Sequence, residues 1–170
     1  MVRKLFLTAL SAAIALAFLP APCDAQTIRV KWDRKVDFSR YQSFAWMEGT
    51  AAIDPEVNRR IAETIENELS VRGIFPDDAD PGLLVVYHAS RDDTFQVEGG
   101  YRRDWEDSGA VTVDSHVAGT LVVDLVDAEE NRVVWRAIAT ATVKGDPKKV
   151  RGRVPSIVQR MFEDFPPSPP

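Results

Sequence analysis

Cysteine is nearly absent from this sequence. Among 170 residues there is one, Cys23, and it lies at the end of a segment built for removal. Without that segment the chain can form no disulfide, bind no metal through thiolate and use no cysteine nucleophile. Histidine is scarce as well, with His88 and His116 the whole supply. Basic residues do not dominate: 21 stand against 26 acidic ones, a net charge of −5, which argues against nucleic acid or an anionic membrane surface as partner. No glycine-rich phosphate loop is present, since Gly99-Gly100 reads as a hairpin turn. Internal repeats are lacking, and no apolar run reaches the ~20 residues of a transmembrane helix. Nothing in this inventory calls for a cofactor.

What is present begins with "MVRKLFLTALSAAIALAFLPAPCDAQ". Arg3 and Lys4 form a cationic start, Leu5 to Leu19 a short apolar run, and Pro20 and Pro22 stop it. Cys23 and Ala25 then fit a small-x-small cleavage site, so residues 1–25 read as a secretory signal peptide cut before Gln26. A lipidated Cys23 is the alternative, although Pro22 and Pro20 hold the places where a small and an aliphatic residue normally stand. Cleavage removes two bases and one acid, shifting the net charge from −5 to −6. About 145 residues remain, enough for one domain that buries ~68% of its unfolded surface. The expected division is a signal peptide at 1–25, a single domain at 26–164 and a solvated proline-rich tail, FPPSPP, at 165–170.

"TIRVKWD" alternates Ile28, Val30 and Trp32 against Arg29 and Lys31, the period of a half-buried strand. "VDFSRYQSFAW" follows, with Phe44 and Trp46 on one face of a short second strand and Phe38 and Tyr41 spaced for one helical turn. Aromatics placed this regularly beside a strand read as core, so Trp46 and Trp135 are both assigned to the interior. Asp54-Pro55-Glu56 opens a helix over 55–72: a capping acceptor, proline in the first turn and an acid at the positive dipole end. Val57, Ile61, Ile65 and Leu69 line one side, Glu68 can pair with Arg72, and Gly73 ends the helix. "LLVVYHAS", 83–90, is apolar on both faces, as an interior strand is, and strand-helix-strand here predicts a parallel crossover.

Two further strands, "GTLVVDLV" and "RVVWRAIATATV", are joined by residues 127–131. Pairing Val126 with Arg132 sets Leu125 opposite Val133, Val123 opposite Trp135 and Leu121 opposite Ala137, with all six apolar side chains on one face. The other face carries Thr120, Val122, Asp124, Arg136, Thr140 and Thr142 and should be wet. A closing helix starts at Asp146-Pro147 and presents Val150, Val154, Ile157, Val158, Met161, Phe162 and Phe165. Pro155 should kink it or split it in two. The sum is an α+β fold: a mixed, largely antiparallel sheet with two helices packed on one face, in the order β-β-α-β-β-β-α.

These stretches resemble one family. "VDFSRYQSFAW" is similar to the D-F-S-x-Y-x-T-F-x-W opening of bacterial envelope proteins that carry the domain of unknown function DUF4136. The likeness continues through "ENELSVRGI", "DPGLLVVYH", "GTLVVDLVDAEENRVVWRAIA" and the closing "FPP". It implies a compact α+β domain and an exported protein, frequently a lipoprotein; the flanks of Cys23 depart from that pattern. It implies no established activity and no catalytic residues.

Candidate chemistry is thin. Asp114-Ser115-His116 holds the residue types of a hydrolase triad, but on a strand Ser115 points away from both neighbours. His88 and His116 with Asp114 or Asp92 could form a two-histidine, one-carboxylate metal site, though without ligand spacing to support it. Asp77, Asp78 and Asp80 resemble half a calcium loop that lacks its glycine and distal glutamate, and Glu129-Glu130 is a pair of loop acids. No catalytic, cofactor or metal residue is therefore assigned. The stretch that exceeds structural need is 91–110, "RDDTFQVEGGYRRDWEDSGA". Its candidate partner-binding residues are Phe95, Tyr101, Arg102, Arg103 and Trp105, carried on a protruding hairpin; the plainer reading is a connection whose rings fold back on the sheet.

The reading is a periplasmic, non-catalytic binding or structural module of the Gram-negative cell envelope, whose partner is another envelope protein or component. Membrane attachment would require lipidation of Cys23, and nothing in the chain sets an oligomeric state. The alternatives are a hydrolase or metal-dependent enzyme on an envelope substrate, and a small-ligand carrier using the covered face of the sheet. A polar pocket gathering His88, His116 and aspartates would mark the enzyme, and a filled core under a flat outer sheet the binding module.

Overall fold

The computed structural model describes residues 26–98, 112–144 and 147–166, with backbone alone for 92–98, 112–117, 143, 144, 147 and 149. Six strands form one mixed sheet: β1 (Gln26–Trp32), β2 (Ser43–Trp46), β3 (Phe75–Pro76), β4 (Leu83–Glu98), β5 (Thr112–Asp127) and β6 (Arg132–Lys144). Their order is β1-β6-β5-β4-β2-β3. Two helices, α1 (Pro55–Ser70) and α2 (Pro147–Phe162), cover one face. The α+β expectation stands, with the two-residue strand β3 added to the expected order. β4 lies inside the sheet and is parallel to β2 across the α1 crossover, while β4-β5-β6-β1 is antiparallel.

Local chemistry sets α1 where the sequence puts it. Asp54 accepts from the N–H groups of Glu56 and Val57, and Pro55 fills the first turn. Ile61, Ile65 and Leu69 are buried along one side. Arg72 reaches Glu68 at 2.7 Å, and Gly73 takes φ +80°, a left-handed turn that a side chain would resist. α2 starts at Pro147, while Asp146 lies outside the described residues. Pro155 does not split the helix: α2 runs unbroken from Pro147 to Phe162. Val154, Val158, Met161 and Phe162 are buried on its sheet side, and this burial outweighs the one backbone bond that proline removes.

The β5–β6 hairpin corrects the expected register. Asp127 pairs with Arg132, Val126 with Val133 and Leu125 with Trp135, with a bulge at Leu125/Val126. Beyond the bulge Val123 faces Ala137 and Leu121 faces Ala139. The bulge sends two successive residues inward: Val134 is 1% and Trp135 0% exposed, whereas Val133 is 42% exposed. Its cause lies in the turn. Asp127 joins the strand because its carboxylate is taken up: Oδ1 accepts from the N–H groups of Glu129 and Glu130 and Oδ2 from Tyr41 Oη (2.5 Å) and Arg40 (3.0 Å). Asn131, at φ 51°, closes the remaining four-residue loop.

The aromatics of the opening motif are structural. Phe38 and Tyr41 flank a 3₁₀ turn (Phe38–Arg40) and are buried with Phe44 in the core. Trp135 is fully buried, but Trp46 is only partly so, donating its indole N–H to Glu66 at 2.9 Å. Trp32, expected inward, is 36% exposed on the edge strand. Phe165, expected to begin the solvated tail, packs edge-on against Phe38 and beside Trp135 and Phe162, and Pro166 is buried. On the open face Arg136 grips Asp124 through two hydrogen bonds of 2.6 and 2.7 Å.

Candidate functional site

The sheet and helices meet tightly at one end and not at the other. At the filled end the floor is Leu83, Val85, Leu125 and Trp135, all fully buried beneath Leu69, Met161 and Phe162. Toward the opposite end the inward positions shrink to Ala89 on β4, Gly119 on β5, and Ala139 and Ala141 on β6. Above them stand Val57 and Ile61 of α1 and Val150, Val154 and Ile157 of α2. Small residues below branched ones leave a gap of about 310 Å³, at the lower end of the ~300–1,000 Å³ range of ligand pockets. Its lining is almost wholly alkyl.

A rigid loop forms one side of the mouth. After β2 the chain stays on the edge of β4: the Met47 and Thr50 N–H groups donate to the carbonyls of Val85 and Tyr87, and Ala89 N–H donates to Thr50. Gly49 permits this approach, since a Cβ there would lie 2.1 Å from the Tyr87 carbonyl oxygen. Asn58 Oδ1 then accepts from both Ala52 N–H (3.0 Å) and Tyr87 Oη (2.6 Å). Asp54 caps α1 and also binds Arg151 of α2 at 2.8 Å, joining the two helices at the mouth. The Arg151 guanidinium is the main reason that the Asp54 carboxyl is held below its usual range. Ile53, 83% exposed, lines the pocket, as do Arg91 and Arg153.

The residues singled out in the sequence are not brought together there. His88 is exposed on the open face with Nδ1 3.0 Å from Thr50 Oγ1. His88 pairs with Val122, whereas His116 pairs with Thr94. Six residues along the strand separate the two sites, roughly 20 Å. Asp114, Ser115 and His116 follow one another on β5. Asp77 makes a turn, its Oδ1 accepting from Ala79 and Asp80 N–H, and Asp77, Asp78 and Asp80 are all exposed. Glu129 and Glu130 are exposed in the hairpin turn. Among the described residues no three His, Cys, Asp or Glu side chains are grouped to hold a metal, and no helix is long and apolar enough to cross a membrane.

Of the candidate partner residues, Phe95 lies on β4 opposite Ser115, its side chain outside the description. Tyr101, Arg102, Arg103 and Trp105 fall outside the described residues. What surrounds them is informative: β4 and β5 stay paired out to Glu98 and Thr112, while β6 ends opposite His116. Past that point, among the described residues, the sheet consists of β4 and β5 alone. A pocket on the covered face was an alternative in the sequence reading, but its lining was not named there, although a signal existed: Gly119, Ala139 and Ala141 are small residues at inward positions facing bulky helical stripes.

Comparison with known proteins agrees with this architecture. The chain resembles, at 19% identity and a TM-score of 0.50, a PDZ domain protein from Parabacteroides distasonis, with 94% of this chain covered; it spans 41% of that protein's length. A neuraminyllactose-binding hemagglutinin homolog from Helicobacter pylori matches at 9% identity and TM-score 0.51, over 75% of this chain and 87% of the other. The PelC dodecamer from Paraburkholderia phytofirmans matches at 14% identity and TM-score 0.49, over 80% and 96%. At these identities the likeness to the first two is one of fold. No curated protein matches. A family model, domain of unknown function (DUF4136), matches residues 28–167, and the chain belongs to that family.

Proposed function

We propose that this DUF4136 protein is an exported, non-catalytic binding module of the cell envelope, and that its site is the alkyl pocket between the helices and the sheet. The observation that carries the reading is the composition of that pocket. Ala, Val, Ile, Leu and Gly make up most of its lining, with Thr50, Asp54, Ser90, Arg91, Thr120 and Arg153 the polar remainder. Such a surface can desolvate an apolar ligand, and its one carboxylate, Asp54, is taken up by the start of α1 and by Arg151. The signal-like N-terminus supports export. This favours the ligand-carrier form of the sequence reading over an enzyme.

Binding of the neutral fluorophore N-phenyl-1-naphthylamine, followed by its emission, tests the proposal. Gly119→Val with Ala141→Leu should abolish the signal. A Cβ at Gly119 meets only the Ser90 carbonyl, at 3.5 Å, so the variant should fold with stability unchanged or raised. Emission that survives in the folded, filled variant would place the apolar site elsewhere. A second surface is favoured by the ribbon formed where β4 and β5 outrun β6: a projecting hairpin suits a macromolecular contact through Phe95, Tyr101, Arg102, Arg103 and Trp105.

A further inference from the structure

The register of the sheet gives the pocket floor a definite shape. Ala89 pairs with Leu121 and Leu121 with Ala139, and Arg91 pairs with Gly119 and Gly119 with Ala141. These two rows, all of them lining residues, make a floor three strands wide and two inward positions long. That is about 10 Å across and about 7 Å along the strands. Spread over such a floor, the pocket's 310 Å³ is a layer about 4–5 Å deep, close to one layer of carbon atoms at van der Waals spacing. The space is a slot. Two chains lying one over the other do not fit, nor does a compact cage of the same volume.

Chemistry narrows the occupant further. The helices roof the slot with branched alkyl groups, and no aromatic ring is among its described lining residues, so nothing there stacks on a planar ligand. The floor residues pair their backbones within the sheet, and a peptide laid in the slot would bury its own N–H and C=O groups unpaired. Charge at the mouth favours no ion. Asp54 is bound by Arg151, and Arg91, Arg153 and Lys148 each interact with another group of the protein. A charged head drawn against this wall would lose hydration without meeting a vacant counter-charge. At the ~30 Å³ that a water-sized group occupies in a liquid, the space holds roughly ten carbons. We infer that the slot takes one unbranched alkyl chain of about that length whose polar end is uncharged, a neutral single-chain lipid. This deepens, and rests on, the pocket reading given above.

The test needs only the wild-type protein. A series of 1-alkanols from 1-hexanol to 1-tetradecanol, each below its solubility limit, competes with N-phenyl-1-naphthylamine, whose flat naphthyl ring suits a slot of this depth. Displacement should strengthen about fourfold with each added methylene up to 1-decanol and level off beyond it, where further carbons remain in water. At equal carbon number, 1-decanol should displace the fluorophore about fivefold or more better than decanoate or decyltrimethylammonium, which lose hydration at the mouth, and better than the cage alcohol 1-adamantanol. A rise that continues unbroken to 1-tetradecanol overturns the inference, as does either ion or the cage matching 1-decanol; fluorophore binding would in each case leave the apolar pocket standing. Failure of the fluorophore itself to bind removes both readings.

Discussion

Asp127→Ala is the most informative single perturbation of the fold. Asp127 is 1% exposed and its carboxylate accepts four hydrogen bonds, from Tyr41 Oη, Arg40 and the N–H groups of Glu129 and Glu130. Removing it strands the Tyr41 hydroxyl, itself on a side chain only 4% exposed, at a cost of about 1–3 kcal/mol. The two turn N–H groups lose an acceptor much as an uncapped helix does, ~1 kcal/mol. Arg40 is nearly half exposed and returns to water at little cost. The total is ~3 kcal/mol, or about 6–12 °C in melting temperature for a domain of this length.

Urea denaturation followed by tryptophan emission would measure this loss. Tyr41→Phe alone should cost ~1–2 kcal/mol, and the double variant should fall short of the sum, because no hydroxyl is left stranded. Acid supplies a second readout. Burial pushes the Asp127 carboxyl up, but hydrogen bonds from Tyr41 and the turn, with Arg40 nearby, outweigh it and hold the group below its usual value. A carboxyl depressed in the fold stabilises fully above its unfolded pKa of ~3.9 and loses that contribution as pH falls through the lower folded value. The gap between wild type and Asp127→Ala should therefore narrow below about pH 4. A loss under ~1 kcal/mol, additive with Tyr41→Phe and flat in pH, would refute the network's role.

Other outcomes are equally specific. Trp135→Ala should cost ~3–5 kcal/mol as a buried large aromatic, and Trp46→Ala clearly less, since Trp46 is half-buried; chemical denaturation that ranks them the other way contradicts the burial argument. The mature protein should begin at Gln26 and fractionate with the periplasm, as intact mass would show; a diacylglyceryl Cys23 would establish anchoring instead. Tyr101→Ala with Trp105→Ala should leave the melting temperature unchanged and abolish crosslinking to envelope partners, whereas a large fall in melting temperature would mean that these rings pack on the domain.

What the sequence determined by itself was whatever depends on short spacing. Asp54-Pro55 and Gly73 bound α1, period-4 apolar residues orient it, and period-2 residues give the strands and their inward faces. Phe38, Tyr41 and Phe44 were legible as core for the same reason. The tertiary structure alone decided the rest. The bulge that turns Val134 inward and Val133 outward follows from Tyr41 and Arg40 reaching Asp127 from 86 and 87 residues away, a demand no local pattern records. Trp46 stays at the margin because Glu66, on α1, takes its indole N–H. Pro155 remains within one helix because the sheet beneath holds both sides of it. The pocket, finally, is a property of no single segment. Ala89, Gly119 and Ala141 are unremarkable until β4, β5 and β6 set them side by side under two helices, and only there does the shortage of side-chain volume become a space.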